Sequence, residues 1–63
     1  MDSLAKAIAR WIEKRSVHKG KIPYSDIRDI CDLQTDSDLN PITLNILTDM
    51  VIAKLPKEMV DDV

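Results

Sequence analysis

The chain's only soft side chains, His18 and Cys31, are the first place to look for metal or nucleophilic chemistry. A zinc site needs three or four ligands, and a Cys–His nucleophile pair needs a cleft and an orienting group. Two residues thirteen positions apart supply neither. Cys31 shares a helical face with Ile27 and Ile30, so it reads as a small buried hydrophobe. His18 reads as a side chain that favours a helix C-terminus. Asp26 and Asp29, at i and i+3, could mimic an acid–base pair, but raising a carboxyl pKa needs a pocket that 63 residues leave little room for. The run DSDLNP at 36–41 starts like a calcium loop. Its sixth position is Pro41 where a turning Gly belongs, and its twelfth is Leu47 where Glu belongs. One glycine cannot build a phosphate-cradling loop. The sequence therefore predicts no enzyme, no cofactor and no metal.

What remains is surface chemistry. Lys6, Arg10 and Lys14 fall at i, i+4 and i+8 and line one face of a helix, with Glu13 among them. Such a face suits an anionic partner, or is simply solvated. Arg15 lies angularly among Leu4, Ile8 and Ile12. Its stem can lie on apolar surface with the guanidinium wet, or it can pair with an aspartate; the sequence leaves both open. Trp11, centred on the same apolar stripe, is expected in the core, and would anchor an interface if partly exposed. The net charge of −2 conceals two halves: +4 through Lys21 and −6 beyond it. A basic helix packed beside acidic ones is the plainer reading; steering towards an acidic partner or a second copy is the other.

The elements that must position these residues are helices. Asp2 or Ser3 offers an N-cap, and Leu4, Ala7, Ile8, Trp11 and Ile12 recur at helical spacing, which predicts a helix over 3–18 ended by Gly20. Pro23 and Ser25 mark a second start, and the spacing of Tyr24, Ile27, Ile30 and Cys31 predicts a helix over 24–33. Asn40 and Pro41 are a strong N-cap and first-position pair for a third helix over 41–55. That helix carries two apolar stripes, Ile42–Ile46–Met50–Ala53 and Leu44–Leu47–Val51–Leu55. A surface helix needs only one stripe about 100° wide. Contact from two sides is expected, part of it from another chain. Pro56 closes the helix, and 56–62 is read as a short turn or a frayed end.

KIPYSDIRDIC followed by ITLNILTDMV broadly resembles the second and third helices of helix-turn-helix domains, a fold-level likeness that by itself carries no function. Three features depart from the pattern, one being that nothing after Pro56 is long enough for a β-wing. Leu33 to Asn40 is longer than the usual turn of three or four residues. The would-be recognition helix has Lys54 as its only cation, whereas phosphate contacts need Lys or Arg.

Length and composition bound the rest. At 63 residues the chain is one domain, 1–63, near the lower limit for a self-sufficient core. Eighteen Ile, Leu and Val residues argue against disorder. A single Cys fits a reducing compartment, no stretch reaches the roughly 20 apolar residues of a membrane span, and MDSLAKAIARWIEK has no apolar core of a leader. The sequence predicts an all-α three-helix bundle, cytoplasmic and homodimeric. Its expected function is that of a non-enzymatic protein–protein interaction module: an adaptor, inhibitor or regulatory subunit. Lys6, Arg10, Trp11, Lys14, Ile46, Met50 and Ile52 are the candidate contact residues. The alternative is a compact nucleic-acid-binding regulator using the basic first helix. A membrane is not among the expected partners.

Overall fold

The computed structural model describes residues 1–15 and 21–61. Three helices, α1 (Asp2–Arg15), α2 (Tyr24–Gln34) and α3 (Pro41–Lys54), are followed by a 3-10 turn at Lys57–Met59. The three-helix, all-α expectation holds. The radius of gyration, 10.7 Å, matches the ~10.6 Å expected for this length, so the chain closes on itself.

α1 begins one residue earlier than Ser3. The Met1 carbonyl accepts the Ala5 N–H at 3.0 Å, so the N-cap position falls on Met1 and not on Asp2 or Ser3. The expected extension to residue 18, the Gly20 stop and His18 all lie outside the described residues.

The ends of α2 and α3 have identifiable causes. Pro23, in extended conformation, precedes α2. At the other end the Asp36 amide donates to the Leu33 carbonyl (3.1 Å) and the Ser37 amide to Asp32 (2.9 Å), the bond pattern of a Schellman cap. Asp36 and Ser37 both take left-handed backbone (φ 55° and 57°), where glycine would be less strained. α3 starts as its sequence dictates: Asn40 Oδ1 accepts the Thr43 N–H at 2.8 Å, and Pro41 occupies the first turn. It stops at Lys54 because Leu55, preceding Pro56, is pushed into extended backbone (ψ 151°).

α3 is the hub on which α1 and α2 each pack. Ala5, Ile8, Ala9 and Ile12 form the buried face of α1, and Ile27 and Cys31 that of α2. Both meet Leu44, Leu47, Thr48 and Val51 of α3. Thr48, the one buried polar residue among those described, donates its hydroxyl to the Leu44 carbonyl at 2.8 Å, so no uncompensated polar atom enters the core.

The tail does more than turn once. The Ile22 amide donates to Met59 (2.8 Å) and the Asp61 amide to Ile22 (3.0 Å), an isolated parallel bridge that clamps the segment before α2 to the end of the chain. Ile22 and Val60 are both buried there. No helix among the described residues is long and apolar enough to cross a membrane.

Candidate functional site

The two stripes of α3 meet different fates. Leu44, Leu47, Val51 and Leu55 are buried, whereas Ile42 is 75% and Ile46 50% exposed. Met50 and Ile52 are half-buried at the edges of the core, and Ala53 is exposed. Two-sided contact within the chain is therefore met on one broad face only. Of the candidate contact residues on α3, Ile46 stands open, and Met50 and Ile52 are already partly used. Tyr24 of α2 flanks the exposed face: desolvation first, and the Asp49 carboxylate beside it second, raise its phenol pKa. Arg28 Nε donates to Asn45 Oδ1 at 2.8 Å along the same seam. Leu33, 73% exposed at the end of α2, is a further apolar side chain in solvent that the pattern of α2 did not single out.

On α1, Lys6, Arg10 and Lys14 are all exposed on one face, with Glu13. They remain available to an anion. Asp2 and Lys54 form an ion pair (2.9 Å) that joins α1 to α3, each being a residue of the minority sign in its half of the chain. Lys54 lowers the Asp2 pKa by hydrogen bond and by charge.

Trp11 is not in the core. It is 38% exposed, with the Arg15 guanidinium 5.1 Å from its ring centroid, a cation–π distance. The reason is that α1 and α2 pack chiefly on α3 and leave a groove between them of about 340 Å³. Trp11 and Arg15 form one wall of it and Asp26 and Asp29 of α2 the other. The Arg15 stack settles the alternative the sequence left open: the guanidinium rests on the indole and makes no ion pair among the described residues. The i, i+4 spacing of Trp11 and Arg15 was the signal for this pair. Nothing in one sequence marks the two aspartates opposite it.

Cys31 is fully buried, and that burial raises its thiol pKa, with the neighbouring Thr48 hydroxyl acting weakly the other way. It is protonated at neutral pH and contributes apolar volume. Among the described residues no three His, Cys, Asp or Glu side chains gather as a metal ion would require. No protein-family model matches the chain, and neither a curated protein nor a solved structure is significantly similar to it.

Proposed function

We propose that the protein is a non-enzymatic interaction module, an adaptor, inhibitor or regulatory subunit of the cytoplasm, which self-associates through the outward stripe of α3. The observation that carries this reading is the exposure of Ile42 (75%) and Ile46 (50%) on the helix that already serves both others as a core. A symmetric dimer with α3 near the two-fold axis is the simplest arrangement that covers them. Area sets its strength. A helix of 14 residues offers a strip about 21 Å long and about 10 Å wide, far below the ~800 Å² per partner of a stable interface. A stable dimer therefore has to extend the contact onto neighbouring helices.

Light scattering at tens of micromolar tests this. A mass near 14 kDa, twice the chain's 7.2 kDa, is expected, falling to monomer in the Ile42→Glu/Ile46→Glu variant. A wild-type monomer at that concentration sinks the reading. A second reading, nucleic-acid binding, draws support from the exposed Lys6, Arg10 and Lys14 face. Anisotropy titration with duplex DNA and RNA decides it: affinity falling linearly in log salt supports it, and no binding at about 50 mM salt removes it.

A further inference from the structure

The groove between α1 and α2 has a chemistry of its own, separate from the α3 stripe. Its floor is aliphatic, from Ile12, Ile22 and Ile30, the first two buried and the third half-buried. One wall carries the Trp11 indole; the other carries two exposed carboxylates, Asp26 and Asp29, neither of which is ion-paired with a described residue. The one cation in the lining, Arg15, lies on the indole instead of reaching the aspartates. An apolar floor takes an alkyl stem, an aromatic face takes a cation, and two carboxylates counter its charge. Arg15 already fills the ring position from within the chain.

We infer that this groove is the docking notch for an arginine or lysine side chain of a protein partner, and that Arg15 is its internal surrogate, displaced when the partner's cation enters. Charge complementarity selects this occupant. Among the described residues the groove's lining is net −1 with Arg15 in place, and no other described cation lines it once Arg15 swings out. An anionic ligand would meet Asp26 and Asp29, and a purely apolar one would leave both carboxylates uncompensated.

Trp11 is the only tryptophan, so its emission reports on the groove directly. The full chain, dilute enough to be monomeric, is titrated with a blocked leucine–arginine–leucine peptide and, in parallel, with the leucine–glutamine–leucine peptide. A saturable change in Trp11 emission is expected with the arginine peptide only. Arg15→Gln removes the internal competitor and tightens binding by about two- to fivefold, the range of an exposed cation–π contact. Asp26→Asn with Asp29→Asn weakens it by about fivefold or more. Two controls separate docking from general electrostatics: Lys57→Gln and Asp36→Asn/Asp38→Asn change the same charges elsewhere on the surface and leave the affinity within about twofold. All the substituted side chains are exposed, so far-UV circular dichroism is expected to be unchanged. Equal response to both peptides, no saturable response, or an Arg15→Gln variant that binds more weakly overturns the inference. None of these outcomes depends on whether α3 self-associates.

Discussion

The inward and outward faces of α3 are built from nearly the same residues and have opposite roles. Leu44, Leu47 and Val51 face α1 and α2 at 4% exposure or less; Ile42 and Ile46, one turn apart on the other side, keep half or more of their surface in water. Composition does not separate them. What separates them is that two neighbouring helices can cover only one broad sector of a third. The difference is thus a statement about the supply of partners within 63 residues.

Truncating the two faces in turn should have the most unequal consequences. Leu47→Ala is expected to cost about 2–5 kcal/mol. A domain of this length holds only about 3–9 kcal/mol, so most of the fold's stability is at stake. Ile46→Ala, measured by urea unfolding at a concentration where the chain is monomeric, should stay within about 0.5 kcal/mol of wild type. Similar costs at the two positions would mean that the outward face is packed after all.

The inward face also predicts a pH dependence. Burial raises the Cys31 pKa, so the folded state holds a proton that the unfolded chain releases above the ordinary thiol value of about 8.5. Stability from this source is complete below that pH and declines above it. Tyr24, on the edge of the outward face, also has a raised pKa and adds a second decline above about pH 10. Urea unfolding across pH 7–11 should show the first decline vanish in Cys31→Ala and the second in Tyr24→Phe. A wild-type profile flat to pH 10 would place Cys31 in contact with water.

Much of this architecture was legible because local chemistry and tertiary packing agree. Asn40–Pro41 starts α3 where a side-chain cap and a fixed φ both want it, and the Ile27–Cys31 face of α2 is buried as its spacing demands. The reading failed where the outcome depends on what a neighbour does not cover. Trp11 sits on the apolar stripe of α1, yet stays 38% exposed because α2 stands away from it across the groove. The Ile22–Val60 bridge joins residues 38 positions apart and rests on backbone hydrogen bonds, which leave no side-chain periodicity to read. The same holds for the candidate site. Lys6, Arg10 and Lys14 lie exposed on one face as their spacing requires, whereas Asp26 and Asp29 acquire meaning only opposite Trp11.

A smaller effect concerns the turn from which α3 departs. Asp36 holds the left-handed cap position that glycine occupies with less strain. Asp36→Gly should raise stability by about 0.5–1 kcal/mol in urea unfolding, with no change in which face of α3 is buried. A loss would mean that the Asp36 side chain contributes more to the cap than its backbone strain removes.

The smallest effect lies on the border between the two faces, at the Asp2–Lys54 pair. It ties the first turn of α1 to the last turn of α3, with side chains 78% and 31% exposed. Lys54 lowers the Asp2 pKa, so the pair contributes above the ordinary carboxylate value of about 3.9 and is lost as pH falls through the lowered one. Solvent screens it at both ends, and salt at about 0.5 M should remove what remains. Lys54→Met is therefore expected to shift the thermal midpoint less than Leu47→Ala or Asp36→Gly does, with the shift absent in high salt. A larger, salt-independent loss would show that the aliphatic stem of Lys54 matters more than its charge, and the inward face of α3 would then be one residue wider than its buried side chains indicate.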